Sequence, residues 1–143
     1  MRKSPNLLFV DDEPSIRATL PPILRRYGFK VTAAATATEA LDCIQKQQFD
    51  LLLCDLNINH EADGLEVIRA MRQVNPGCAT IVFTGFPSSD TVREGIELGI
   101  DDYIQKPADA NELVAILAEK LAAHRPRSQN ASAPAEPTNT VEA

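Results

Sequence analysis

The chain has 143 residues, 44% hydrophobic but only 5% aromatic and without Trp, so one ordinary domain with an aliphatic and Ala-filled core is expected. Its net charge of −6 argues against intrinsic affinity for nucleic acid or anionic membrane, and suits a protein that meets cations or basic partner surfaces. The three cysteines, Cys43, Cys54 and Cys78, are odd in number and make no C-x-x-C pair, which reads as reduced thiols in a cytosol.

The first apolar run is Leu7 to Val10, cut off by Asp11 and Asp12. It is too short for a signal-peptide core or a membrane span, and no other stretch qualifies, so a cytoplasmic protein is expected. Ile16, Leu20, Ile23 and Leu24 then repeat at helical spacing, and Gly28 stands where that helix should stop. Pro21-Pro22 falls inside the pattern. An interior Pro costs about 3 kcal/mol and disfavours helix in the residue before it. A kink or break near Leu20 to Pro22 is therefore predicted, with the helix resuming beyond.

A weaker apolar run covers Lys30 to Ala35, and stronger ones cover Leu51-Leu52-Leu53-Cys54 and Thr80-Ile81-Val82-Phe83. The fifth, Tyr103-Ile104, is the shortest. Runs that are apolar on both faces suit a parallel sheet covered by helices on each side. Helical patterns separate them, including one over 90–98 that Gly99 closes. The last, over 109–124, repeats Leu113, Ile116, Leu117 and Leu121 and opens on a capping box of Asp109 and Glu112. Strand and helix alternating five times predict a doubly wound α/β domain. From Arg125 the chain turns to Pro, Ser, Asn and Thr among Ala with no apolar period, so 125–143 reads as a disordered tail or linker behind a domain of 5–124.

Sites in open α/β sheets form outside the carboxyl ends of the strands. The first strand ends in Asp11-Asp12, the third in Asp55, the fourth in Thr84-Gly85, and the fifth runs into Lys106-Pro107. A charged residue that ends a strand is ordinarily just leaving the core. The combination says more, because carboxylates buried together repel and take up protons unless a cation compensates. A hard divalent ion with oxygen ligands is the ordinary solution, and Mg²⁺ suits one or two carboxylates plus waters and a phosphate oxygen. One carboxylate is then the nucleophile, since no Ser–His or Cys–His pair supplies another. A metal, an ammonium and a hydroxyl can neutralise an arriving phosphoryl group by position and charge alone. Gly85 leaves room beside Thr84.

Over residues 5 to 124 the chain resembles the receiver domain of response regulators, of the chemotaxis-regulator-like superfamily. The resemblance is carried by Leu8-Phe9-Val10-Asp11-Asp12-Glu13-Pro14, Leu53-Cys54-Asp55-Leu56, Asp63-Gly64-Leu65, Thr84-Gly85-Phe86-Pro87 and Asp101-Asp102-Tyr103-Ile104-Gln105-Lys106-Pro107. It implies a flavodoxin-like five-stranded parallel sheet of order 2-1-3-4-5. It implies a signalling switch, not an enzyme in the ordinary sense, in which Asp55 accepts phosphate from a histidine kinase or phosphotransfer protein. Asp12, Asp55 and the backbone carbonyl of Asn57 would ligate Mg²⁺, with Asp11 acting through water. Thr84 and Lys106 would hold phosphoryl oxygens, and Tyr103 would swing inward as Thr84 moves. The Lys106–Pro107 bond is expected to be cis. The face of helix 90–98, strand 102–105 and helix 109–124 would then signal to a downstream protein or output domain, and phosphorylation-dependent homodimers fit the same scheme. The loop after Asp55 departs from the family. It lacks the usual Pro and places Gly64 nine residues on, one more than usual, which bears on the placement of Asn57.

Two other functions compete. A haloacid-dehalogenase-type phosphatase would need a second Asp where Asn57 stands. A receiver-like interaction module without phosphorylation would not need the intact acidic, Thr and Lys set. His60 reads as a solvated loop residue, although Glu61 and Asp63 lie near it in sequence, and His124 reads as a cation at a helix C-terminus. Cys54 is expected in the core, facing away from Asp55. Phe86 stands where the family tunes phosphate loss. After Ala123 there is no room for an output domain, so the chain reads as a stand-alone receiver or a piece of a longer regulator.

Overall fold

The computed structural model describes residues 4–58, 63–85 and 88–132, with side chains up to His124. The elements are β1 (Asn6–Val10), α1 (Pro14–Arg26), β2 (Lys30–Ala34), α2 (Ala37–Lys46), β3 (Leu51–Cys54), α3 (Asp63–Val74), β4 (Ala79–Thr84), α4 (Ser89–Glu97), β5 (Asp102–Gln105) and α5 (Ala110–Ser132). The strands form one parallel sheet of order β2-β1-β3-β4-β5, the expected order.

The strand sequences explain the layers. β3 and β4 are buried at every position and β1 at all but its first, while the edge strands β2 and β5 stay partly open. Side chains alternate across a strand, so Leu8, Val10, Leu52, Cys54 and Val82 face one side with Ala40 and Ile44 of α2 and Leu65, Ile68 and Met71 of α3. Leu7, Phe9, Leu53, Ile81 and Phe83 face the other with Leu20 and Leu24 of α1 and Leu113 and Leu117 of α5. Each fully buried Val, Leu, Ile, Phe or Met among these contributes about 1.5–3 kcal/mol relative to exposure. Cys54 lies in the core as expected.

Local signals place the helix ends. Thr36 caps α2 by accepting the N–H of Glu39 at 3.1 Å. Ser88 and Thr91 form a reciprocal capping box at α4. Asp109 accepts the N–H groups of Asn111 and Glu112, the expected cap of α5. Gly28 and Gly99 have φ of 100° and 82°, the left-handed conformation that closes α1 and α4.

Three expectations are corrected. The break at Pro21-Pro22 does not occur, and α1 runs unbroken from Pro14 to Arg26. The two prolines leave the carbonyls of Arg17 and Ala18 without helix donors, but neither residue is buried, so water can serve them. Leu20, Pro21 and Leu24 are buried, and that packing holds the helix together across the missing bonds. Second, α5 does not end at 124 but continues through Pro126 to Ser132. The apolar period marks only the length that packs on the sheet, whereas helical backbone bonds need no apolar stripe. Third, β2 ends at Ala34, one residue short of the Lys30–Ala35 run, because Ala35 already donates to Glu39 of α2. Residues 133–143 of the expected tail, His60, Glu61 and Phe86 lie outside the described residues.

Candidate functional site

Parallel pairing brings the carboxyl ends of β1, β3, β4 and β5 to one rim, and the residues expected to gather there do so. Asp11, Asp12 and Asp55 each present a carboxylate oxygen within 4.8 Å of the others. Asp11 is wholly buried, Asp55 is 7% exposed and Asp12 is half-buried. The backbone locks this arrangement, since Asp11 N–H donates to Ala34 O of β2 and Asp55 N–H to Val10 O of β1. Arg17 of α1 reaches back to the Asp11 carbonyl at 3.1 Å.

Lys106 is the cation of the rim. Its Nζ donates to Asp11 Oδ2 at 2.5 Å and to Asp55 Oδ2 at 3.1 Å. The Lys106 N–H is held by Thr84 O at 2.9 Å, and Lys106–Pro107 is cis, as expected. Burial pulls the ammonium toward deprotonation, but the hydrogen bond to Asp11 and the charges of Asp55 and Asp11 outweigh it and hold Lys106 above its ordinary value. Burial pushes the Asp11 carboxyl up, against the pull of Lys106 and of the Glu13 N–H. The two shifts on one pair differ in origin. Desolvation dominates for the carboxyl that sits deepest, while ion pairing dominates for the ammonium, which keeps contact with solvent.

The hydroxyls are the unsatisfied part. Thr84 Oγ1 is buried with no hydrogen-bond partner, and so is the Tyr103 hydroxyl oxygen. The Tyr103 ring packs on the α2 and α3 side of the sheet, and burial followed by the Asp55 charge pushes its phenol up. A native structure seldom leaves buried donors orphaned, and an absent ligand is one explanation. Three carboxyl groups share the rim with one ammonium, and the donor set is all oxygen. A divalent hard cation fits both facts. Gly85 faces Lys106, and a Cβ there would meet the Lys106 side chain at 3.8 and 3.9 Å, ordinary van der Waals contact.

The longer loop still brings Asn57 to the acceptor, with its N–H donating to Asp55 Oδ1 at 3.1 Å. Sequence reasoning used Gly64 only as part of a motif and missed its mechanical role. Its N–H bonds to Leu56 O at 2.8 Å, and a Cβ there would lie 2.0 Å from Asp55 O and 2.7 Å from Leu56 Cα. Only glycine lets α3 start against the backbone of the acceptor loop. Among the described residues Asp63 has polar contacts, and His124 is far from this rim, tied instead to Asp101 and Gly77.

A five-stranded parallel sheet of this order, carrying an acidic triplet, a hydroxyl and an ammonium on its carboxyl rim, defines a receiver-type signalling domain. Residues 7–118 match the response regulator receiver domain family, and the chain belongs to that family. It is a receiver domain of two-component signalling. It is 35% identical over 117 residues to the transcriptional regulatory protein ZraR of Klebsiella oxytoca, an alignment that covers 82% of this chain and 26% of that protein. It is 32% identical over 107 residues to sporulation initiation phosphotransferase F of Bacillus subtilis, covering 75% and 86%. The fold superposes with TM-score 0.81 and 31% identity on a CheY-like response regulator receiver domain protein from Methanospirillum hungatei, covering 86% and 98%. The chain thus spans about a quarter of the length of the ZraR relative. No helix among the described residues is long and apolar enough to cross a membrane.

Proposed function

We propose that the domain is a phosphorylation switch in which Asp55 accepts a phosphoryl group with Mg²⁺. The observation that carries this reading is the pairing of Asp55 with Lys106 at 3.1 Å beside a buried Thr84 hydroxyl that has no partner. The Asp55 carboxylate oxygen attacks phosphorus of a phosphohistidine, the P–N bond breaks, and the imidazole nitrogen leaves with the electron pair. Asp12, Asp55 and the Asn57 carbonyl would hold the ion, with Asp11 behind it through water. Mg²⁺ when bound supplies charge to the transferring oxygens. Lys106 then has phosphoryl oxygen to bind in place of carboxylate oxygen, and Thr84 gains the acceptor that it lacks. The phosphoryl donor is a histidine kinase or phosphotransfer protein, and the folded receiver unit is 5–124.

An acyl phosphate adds charge of about −1.5 to −2 to the rim. Thr84 and Lys106 sit directly before α4 and α5, so their movement, with that of Tyr103, reaches the face of α4, β5 and α5. That face is the output surface toward a partner, an output domain or a second copy. Driving such a switch from 1:99 to 99:1 needs about 5.5 kcal/mol of preference. Two or three charge-assisted hydrogen bonds supply that order of energy.

Incubation with a small phosphodonor and Mg²⁺, read by intact mass, tests the acceptor. A gain of one phosphoryl group is expected in the native chain and none in Asp55→Asn. Labelling that persists in Asp55→Asn sinks the assignment. No gain in either, with Mg²⁺ binding intact, favours an interaction module without phosphorylation.

A further inference from the structure

At the amino edge of the sheet, His124 of α5 lies between two acceptors. Its Nε2 is 2.7 Å from Asp101 Oδ1 and its Nδ1 is 3.1 Å from the Gly77 carbonyl oxygen. A backbone carbonyl only accepts, and so does an ionised carboxylate. A neutral imidazole carries one N–H and can serve one of them. The imidazolium carries two and serves both. Asp101 cannot turn away freely, because its other oxygen accepts the Thr80 N–H of β4 at 2.8 Å. The imidazole is largely covered, with 12% of its side chain exposed, so water replaces a lost bond poorly.

We propose that His124, Asp101 and the Gly77 carbonyl form a proton-dependent clasp, which ties α5 to the sheet when the imidazole is charged and loosens it when the imidazole is neutral. The clasp joins three pieces of chain, namely α5, the turn before β5 and the turn before β4. It acts where α5 goes on through residues 125–132, so the proton controls how firmly that continuation is anchored to the domain. Of the other charged groups at this end, Lys120 and Asp50 have partners of their own. Lys120, one turn earlier on α5, faces Asp102 at 3.8 Å. Asp50, before β3, accepts the Asn6 N–H at 2.8 Å. Arg72 of α3 acts on the Cys78 thiol, where its charge opposes the upward push of burial. Among the described residues Asp101 is therefore the charge that the ring meets. The clasp lies at the opposite end of the sheet from Asp55 and does not depend on phosphorylation.

Amide hydrogen exchange over residues 113–128, followed from pH 5.5 to 8 without phosphodonor and corrected for intrinsic exchange, tests it. The whole chain is used in a His60→Gln background, which removes its other histidine. Protection should fall about tenfold as the imidazole loses its proton, the scale of one charge-assisted hydrogen bond. The ring ¹⁵N shifts of His124 should move over the same interval. In Asp101→Asn, the amide NH₂ can donate to a neutral Nε2 while its oxygen keeps the Thr80 N–H, but it faces the N–H of a charged ring donor to donor, so the pH dependence should reverse. His124→Gln, which does not titrate, should be flat and guards against a misfolded Asn variant. Protection that stays flat in the native chain, or a slope of the native sign that survives in either variant, overturns the clasp.

Discussion

The two ends of one sheet are built on opposite terms. At the amino end the acids before β3 and β5 are held by hydrogen-bond donors. Asp50 takes the Asn6 N–H, Asp101 takes the Thr80 N–H and His124, and Asn75 donates to Phe49 O at 2.8 Å. The exception is the Thr80 hydroxyl, buried without a partner. At the carboxyl end three acids crowd on one ammonium, and the Thr84 and Tyr103 hydroxyls have no partner. Hydrogen bonds to backbone fix a geometry, while excess charge and orphaned donors leave a geometry that a ligand can complete. Apart from the proposed His124 clasp, the amino end therefore keeps the register, whereas the carboxyl end has groups left for a ligand to complete.

The comparison can be broken at either end. The largest effect is expected at the amino end in alkali. Burial, reinforced by Asp50 and Asp101, pushes the Cys78 thiol up from 9.0 to about 12. Between those values the native state keeps a proton that the unfolded chain has released, so stability must fall as pH rises from about 9 to 12. The ceiling of that loss is about 4 kcal/mol. Lys106 loses its stabilising charge as pH rises through its own raised value, and Cys54, also pushed up, adds to the fall. Urea titrations across this range should show a shallower decline in Cys78→Ala than in the native chain, and equal slopes would refute the assignment.

At the carboxyl end, Lys106→Met strips the ammonium from Asp11 and Asp55. Leaving buried charges uncompensated should cost about 3 kcal/mol at pH 7 in the absence of divalent ion. Chemical denaturation measures it, and added Mg²⁺ should recover part of the loss. Gly64→Ala should cost about 2–3 kcal/mol, because its Cβ meets Asp55 and Leu56 backbone that cannot swing aside. It should also slow phosphorylation of Asp55, and a variant as stable and as reactive as the parent would remove Gly64 from the site. The smallest effect is ion binding itself. Mg²⁺ at ten times its dissociation constant should stabilise the domain by about 1.4 kcal/mol. That gain should shrink in Asp12→Asn, and an unchanged melting temperature with Mg²⁺ would leave the excess charge of the rim unexplained.

Much of this architecture could be read before any coordinates. Five apolar runs of the right length gave the strands, and the acids, Thr84 and Lys106 that end them gave the rim. What misled was local. Pro21-Pro22 looked like a break because its cost is paid within the helix, whereas the compensating burial of Leu20, Pro21 and Leu24 comes from the sheet. His124 looked like a surface cation because neither Gly77 nor Asp101 is near it in sequence.

By itself, then, the sequence determined the alternation of strands and helices and the identity of the groups at the strand ends. Both follow from side-chain period and from where an apolar run stops. The tertiary structure alone decided which acids share Lys106, why position 64 must be glycine, and where the last helix is tied down. Those facts depend on distances between chain segments that are far apart in sequence, and no local pattern encodes them.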